Sequence, residues 1–234
     1  MKKIIGLLVF VITLSSCQKA EEEGKAITAT TSVENKTGSS SSSSNNFSLL
    51  VELPYEVIQS DETCEKPIVR EFFAYQCPHC NKLEKYAAKW KANNLKKINF
   101  QAIPTHLGKQ EMGPYLIVHH AADQLGLLNQ AIPALFKRFH KENKNFSSQD
   151  QAINFLVSVG ASKEDATKTV ANQEAVTAAA GKDYKLLEKY KISSVPTIIV
   201  NNRYQITVTQ AGGYEKVFEV VEQTLKLPSN CSEK

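Results

Sequence analysis

Cys77 and Cys80 stand where an apolar, strand-like run gives way to a helix-like segment, with only Pro78 and His79 between them. A proline at the first position of a helix loses no hydrogen bond, because its missing N–H would have no partner there, and its fixed φ suits a helix. We therefore expect Cys77 to cap the helix, with the helix beginning beneath its sulfur. Free N–H groups on His79 and Cys80 would then point toward that sulfur and favour its thiolate form.

A stable thiolate at this position needs more than the helix dipole. The dipole contributes about 0.3 to 1 kcal/mol, whereas a cysteine pKa of about 3.5 to 7.5 instead of 8.5 requires about 1.4 to 7 kcal/mol at about 1.36 kcal/mol per unit. Hydrogen bonds must supply much of the difference. We expect the ring of His79 to donate to the sulfur of Cys77 or, when charged, to lie beside it. Because a stabilised thiolate makes the disulfide easier to reduce, the pair would act as an oxidant.

The periodicity of apolar residues after the serine-rich segment predicts a mixed α/β protein. Gly126, Pro133 and Gly160 are interpreted as breaks between helices in its middle region. The predicted elements are, in order, strands over 50–58 and 67–74, a helix over 78–93, a strand over 98–104, only helices between 105 and 190, strands over 196–201 and 203–208, and a helix over 214–225.

Several short motifs follow one another along this pattern: Phe72-Phe73, Cys77-Pro78-His79-Cys80, Ser193-Ser194-Val195-Pro196-Thr197 and Asn201-Asn202-Arg203-Tyr204. Together they resemble the DsbA family of bacterial periplasmic thiol:disulfide oxidoreductases, over about residues 50–228. The resemblance implies an α/β thioredoxin fold with an inserted helical domain. A discontinuous thioredoxin-like domain would comprise 47–104 and 181–228, and the insert would comprise 105–180.

The resemblance also implies an activity. A protein of this family donates its disulfide, here Cys77–Cys80, to unfolded exported proteins and is recycled by a membrane quinone reductase of the DsbB type, without a cofactor. A client thiolate would attack Cys77 to form a mixed disulfide, and a second client thiolate would displace Cys77. A disulfide isomerase or reductase of the same fold is the alternative. Isomerases of this broad fold usually carry a dimerisation domain, which residues 18–46 look unable to form.

Further site residues follow from the same resemblance. In the family a cis proline faces the cysteine pair and the residue before it bonds the client backbone, which implies Pro196 and Val195. Glu71 matches a buried acid that tunes proton transfer, and Glu84 matches another acidic position. A solvent-facing edge strand and a solvated helix face are the alternatives for these two acids. A lysine accompanies the buried acid in the family, and Gln101 occupies that place here, which is a departure from the pattern.

The N-terminal residues predict export and anchoring. Residues 1–16 have a lysine-rich start and an apolar run well short of the roughly 20 residues that span a bilayer, as a signal peptide does. The end of this run resembles the bacterial lipobox, so Cys17 is predicted to be the lipidated first residue of the mature protein; an ordinary signal followed by a chance cysteine is the alternative. Residues 17–46, rich in serine, predict a disordered tether of about 30 Å span. We expect a periplasmic protein tethered to a membrane through Cys17.

Cys64 and Cys231 remain. In an exported chain two leftover cysteines most simply pair, with free thiols or an intermolecular link as alternatives. A metal-binding tethered lipoprotein would use Cys77, Cys80 and nearby histidines, but no second Cys-x-x-Cys or His pair stands at ligand spacing, so we expect no metal. The net charge of +4 is scattered along the chain, which argues against nucleic-acid binding.

Overall fold

The computed structural model describes residues 52–60, 62–229 and 231. The predicted signal peptide (1–16), the tether (17–46) and the lipidated Cys17 lie outside these residues. Within the described part of the chain, no helix has both the length and the apolar character needed to cross a bilayer.

A five-stranded sheet forms the frame of the fold. Its strands, in spatial order β1-β5-β4-β2-β3, are β1 (Glu56–Val57), β5 (Tyr204–Thr207), β4 (Thr197–Val200), β2 (Ile68–Phe73) and β3 (Asn99–Pro104). Strand β2 pairs in parallel with β3 and antiparallel with β4, and β4 and β5, like β5 and β1, are antiparallel. All six residues of β2 are buried, because neighbouring strands flank it and both its faces are covered.

Helices and the loops between them make up the remainder of the described chain. They are α1 (Pro78–Asn94), α2 (Gly113–Gln124), α3 (Leu128–His140), α4 (Gln149–Ser158), α5 (Lys163–Ala171), α6 (Gln173–Lys189), α7 (Val208–Ala211) and α8 (Val217–Thr224), with a 3-10 turn at Gln110–Met112. This arrangement confirms the predicted α/β class and the order of strands and helices. Helix α6 runs across the predicted boundary between 180 and 181, and the domain division stays a prediction.

Pro133 does not break the helical region as predicted, because it lies inside α3. An interior proline removes one backbone hydrogen bond and costs roughly 3 kcal/mol. Tertiary packing offsets this cost, since α3 buries Ile132, Leu135 and Phe136.

Two strand predictions were also too long. The first strand covers only Glu56–Val57 among the described residues, and Val208 begins α7 instead of ending β5. The cause at Val208 is a capping box. The hydroxyl of Thr207 accepts from the backbone N–H of Gln210 at 3.3 Å, and the Gln210 side chain accepts from the N–H of Thr207 at 3.1 Å, which starts a helix at once.

The apolar core is divided into clusters around the sheet. One cluster packs α1 and α8 against the sheet and includes Leu83, Trp90 and Phe218. Another packs Phe73 and neighbouring aromatic side chains among helices α2 to α5, and both cysteines of the Cys77–Cys80 motif belong to it. The start of α1 therefore lies where the sheet meets the helices that follow β3.

Candidate active site

Helix α1 begins directly beneath the first cysteine of the motif. Cys77 is the capping residue, with φ of −82° and ψ of 118°, and Pro78 occupies the first turn. The backbone N–H of Cys80 donates to the sulfur of Cys77 at 3.3 Å. Both cysteines are free thiols, with Cys77 8% exposed and Cys80 fully buried. The predicted cap is confirmed, and of the two cysteines only Cys77 keeps a small exposed fraction.

The two thiols differ sharply in acidity. The pKa of Cys77 is lowered to about 6, first by a hydrogen bond from the Cys80 thiol and then by the backbone N–H groups of Cys80 and His79 and the charge of His79. Burial opposes this effect but does not outweigh it. Burial also raises the pKa of Cys80 far above its ordinary value, and its hydrogen bond to Cys77 raises it further. At neutral pH the pair therefore holds one thiolate, on Cys77, and one proton, on Cys80.

The ring of His79 does not bond the sulfur. Among the hydrogen bonds of the described residues, its Nδ1 pairs with the hydroxyl of Tyr214 at 2.5 Å. His79 acts on Cys77 through its backbone N–H and through the charge of its ring. Of the two roles predicted for the ring, a hydrogen bond to the sulfur is not found among the described residues, and a charged ring beside the sulfur stays a prediction. Tyr214 was not identified from the sequence, because no local pattern relates residues so far apart in the chain.

The segment before β4 lies against Cys77. The Val195–Pro196 peptide bond is cis, and the thiol of Cys77 is 3.7 Å from the carbonyl oxygen of Val195. The hydroxyl of Thr197 donates to the carbonyl of Ser194 at 2.8 Å, which closes the turn. A largely apolar groove of about 490 Å³ starts at Val195 and is bordered by the exposed side chains of Leu107 and Tyr184.

Glu71 and Glu84 are both buried, at 3% and 6% exposure, so neither a solvated edge nor a solvated helix face accounts for them. The pKa of Glu71 is raised to about 7, first by burial and then by the charge of Glu84, while the charge of Lys91 opposes the rise. The ammonium group of Lys91 is 3.5 Å from a carboxylate oxygen of Glu84. The positive charge of Lys91 thus lowers the pKa of both acids. The negative charge of Glu71 in turn raises the pKa of Cys80.

Gln101 does not join these acids. Its side chain accepts from Nε of Arg70 at 2.8 Å, and the two residues are paired across β2 and β3. Because successive side chains of a strand point to opposite faces, Arg70 and Gln101 face away from Glu71. The cation near Glu71 is Lys91 of α1. Its spacing of seven residues from Glu84, which places the two on one helix face, is the signal that sequence analysis overlooked.

Buried polar contacts fix the turn that precedes Cys77. The hydroxyl of Tyr75 pairs with Nδ1 of His119 at 2.8 Å, and Nε2 of His140 pairs with the carbonyl of Tyr75 at the same distance. The side chain of Gln76 donates to the carbonyl of His106 at 2.7 Å. Burial lowers the pKa of His119 to about 3, so its ring is neutral and suited to this apolar setting. Helices α2 and α3 therefore hold the backbone that presents Cys77.

The other cysteines lie in different segments. Cys64 and Cys231 form a disulfide across a sequence separation of 167 residues, and their backbones meet in an isolated β-bridge. This bond joins the segment before β2 to the segment after α8. In the part of the chain that the structure describes, no group of three or more His, Cys, Asp or Glu side chains is arranged to hold a metal ion.

Comparisons with known proteins place the chain among related folds. Residues 68–221 match a family described as a DSBA-like thioredoxin domain. The thiol:disulfide interchange protein DsbA of Pseudomonas syringae pv. tomato is 30% identical over 162 residues, which are 67% of this chain and 72% of that protein. Its counterpart in Burkholderia cepacia is 29% identical over 158 residues, or 64% and 72% of the two chains. The crystal structure of Pseudomonas aeruginosa DsbA has a TM-score of 0.65 at 25% identity and covers 74% of this chain and 91% of that one.

Proposed function

The chain belongs to the DSBA-like thioredoxin domain family, and on that premise we propose that it donates its Cys77–Cys80 disulfide to unfolded exported proteins. The relatives' name, thiol:disulfide interchange protein, gives the class of reaction; the direction is our proposal. One observation carries it: Cys77 caps α1 and its sulfur accepts the backbone N–H of Cys80 at 3.3 Å, an arrangement that lowers the pKa of Cys77 to about 6. A reduced form that is stabilised as a thiolate surrenders its disulfide readily, at about 30 mV for each 1.4 kcal/mol of stabilisation.

The exchange proceeds in two displacements. A client thiolate attacks the Sγ of Cys77, the Cys77–Cys80 bond breaks, and Cys80 leaves with the electron pair and takes a proton. A second client thiolate then attacks the client sulfur of the mixed disulfide, and Cys77 leaves as a thiolate. The client dithiol loses two electrons and two protons. The pair gains both electrons and one proton, on Cys80, while the other proton goes to solvent, so the pair is left as one thiolate and one thiol. The Cys80 thiol has a raised pKa and therefore keeps its proton. The Cys77 thiol has a lowered pKa, which makes its thiolate a good leaving group.

Glu71 and Glu84 are proposed to handle the proton of Cys80. A carboxyl group with a pKa of about 7 has the protonation balance of a general acid and base at neutral pH. Protonated, it supplies the proton when Cys80 leaves; ionised, it accepts the proton when the pair is oxidised again. The charge of Lys91 opposes the effect of burial on Glu71, and this opposition supports a pKa close to neutral.

Val195 and Pro196 are proposed to hold the client. The carbonyl of Val195 lies next to the Cys77 sulfur, so a polypeptide joined to Cys77 would pass along this backbone. The apolar groove that begins at Val195 suits an unfolded chain, because such a chain exposes apolar side chains that a folded one buries. This supports unfolded proteins as the substrate class.

Recycling and location complete the proposal. Each turnover leaves the pair reduced, so an oxidant must restore it, and we assign that part to a DsbB-type membrane quinone reductase. Periplasmic location and tethering through a lipid on Cys17 are supported by the order of lysines, apolar residues and serines before that cysteine. Metabolic labelling with palmitate, in the natural chain and in Cys17→Ser, tests the tether; equal labelling of both would contradict it.

The redox potential tests the direction of exchange. The pair would be equilibrated with glutathione buffers, the free thiols trapped, and the state followed by the fluorescence of Trp90, which lies on α1. We expect a potential well above the roughly −270 mV of thioredoxin. A value near that of thioredoxin would contradict the oxidase proposal and favour a reductase. Efficient refolding of scrambled disulfides would favour an isomerase.

A further inference from the structure

Tyr214 reaches from the loop between α7 and α8 to the first turn of α1. Its hydroxyl oxygen is 2.5 Å from Nδ1 of His79, and the two rings are nearly parallel, with an interplanar angle of 13°. The ammonium group of Lys82 lies 4.3 Å from the centre of the tyrosine ring. His79 and Lys82 are three residues apart and so share one face of α1. One tyrosine therefore contacts two basic side chains beside the redox motif.

The backbone before Tyr214 accounts for its position. Helix α7 ends at Gly212, which has φ of 80°, and Gly213 follows with φ of 135°. These left-handed conformations suit glycine, which has no Cβ, and they turn the chain back toward α1. The side chain of Tyr214 also packs against the apolar cluster that contains Leu83 of α1. Packing against this cluster thus fixes the tyrosine ring, and its hydroxyl lies within hydrogen-bond distance of His79.

Within the described part of the chain, the side chain of His79 makes its hydrogen bond with Tyr214 alone. Its side chain is exposed, and an exposed side chain exchanges between rotamers unless a contact selects one. The charge of its ring lowers the pKa of Cys77, and that effect depends on how close the ring stays to the sulfur. When the ring is charged, Nδ1–H donates and the tyrosine oxygen accepts. The contact therefore selects one position of the ring.

We propose that Tyr214 is a positioning residue, whose hydroxyl holds the charged ring of His79 beside the sulfur of Cys77. The inference rests on the proposed function, in which the Cys77 thiolate is the group that leaves the mixed disulfide. The face of the tyrosine ring attracts the ammonium of Lys82, which brings a positive charge to the same side of α1. Within the described part of the chain, the polar contacts of Tyr214 are with His79 and Lys82 and not with Cys77, so we assign its effect on the sulfur to His79.

The test is the variant Tyr214→Phe, which keeps the ring and the contact with Lys82 but removes the hydroxyl. We expect the pKa of Cys77, followed by thiolate absorbance, to rise by about half a unit, and the equilibrium constant for oxidising glutathione at pH 7 to fall about threefold. Tyr86→Phe is the matched control, since Tyr86 lies on α1 itself and, like Tyr214, has a lysine over its ring, Lys85 at 4.6 Å. This control should leave both values unchanged.

A double variant separates positioning from a general structural effect. In a His79→Ser background the change Tyr214→Phe should produce no further shift, because the ring that the hydroxyl holds is gone. The inference is overturned if Tyr214→Phe leaves the pKa of Cys77 unchanged or lowers it, or if the same shift persists in the His79→Ser background. The comparison is independent of the direction of exchange, which the potential of the natural protein decides; the two proposals therefore fail separately.

Discussion

The molecule contains two pairs of cysteines that chemistry alone would not distinguish. Cys77 and Cys80 are three residues apart at the start of a helix, and both are free thiols. Cys64 and Cys231 are 167 residues apart and are joined. Their surroundings separate them. Hydrogen bonds stabilise the thiolate of Cys77, which favours the reduced pair. The Cys64–Cys231 bond instead closes a long loop and so stabilises the folded state by restraining the unfolded chain. One pair is suited to exchange and the other to permanence.

The largest expected effect is at Cys77. Replacing it in Cys77→Ser should reduce oxidation of a peptide dithiol to the uncatalysed rate, because no sulfur remains for the client to attack. Cys80→Ser should instead accumulate mixed disulfides, which non-reducing electrophoresis would detect. If Cys77→Ser kept catalytic oxidation, the functional assignment of the two pairs would be wrong.

Removing the other pair should separate stability from activity. In Cys64→Ser/Cys231→Ser we expect the free energy of unfolding to fall by up to about 5 kcal/mol on chain-entropy grounds, measured by urea denaturation. The rate of dithiol oxidation per folded molecule should be unchanged, with the natural protein as reference. A loss of exchange activity in folded protein would show that the bond is part of the redox chemistry.

The buried acid beneath Cys80 should make stability depend on pH. Since burial raises the pKa of Glu71 from 4.5 to about 7, its ionisation destabilises the folded state. This penalty is absent below pH 4.5, grows between pH 4.5 and 7 and is complete above pH 7. Between pH 4 and pH 8, Glu71→Gln should therefore gain roughly 3 kcal/mol relative to the natural protein. Urea denaturation across this range measures the difference, and parallel stability curves would contradict it.

The smallest expected effect concerns the cation of the same cluster. In Lys91→Met the pKa values of Glu71 and Glu84 should rise, because the positive charge that lowers both is lost. We expect the pH profile of re-oxidation of the reduced pair to move upward by about one unit. Lys89→Met, at an exposed position of the same helix, is the control and should leave the profile unchanged. Equal profiles for Lys91→Met and the natural protein would remove Lys91 from the site.

The helix cap at Cys77 could be predicted because its causes are local. A proline at the first turn and the N–H groups of the next residues act within one turn of helix, so four consecutive residues contain the necessary information. The same holds for the order of strands and helices, which follows from apolar periodicity. The capping box at Thr207 was local as well, and attention to its Thr-x-x-Gln spacing would have found α7.

The environment of the site was decided by tertiary structure. Tyr214 contacts the motif from 135 residues away, and no sequence pattern records such a distance. Val195, 118 residues away, was expected near the motif only because of the family resemblance. The choice between Gln101 and Lys91 depended on which face of β3 and which face of α1 turn toward Glu71, and a shift of one strand residue reverses a face. The sequence by itself determined the family, the element order and the thiolate cap. Only the packed fold decided which charges surround that cap, because burial and charge proximity arise between segments distant in the chain.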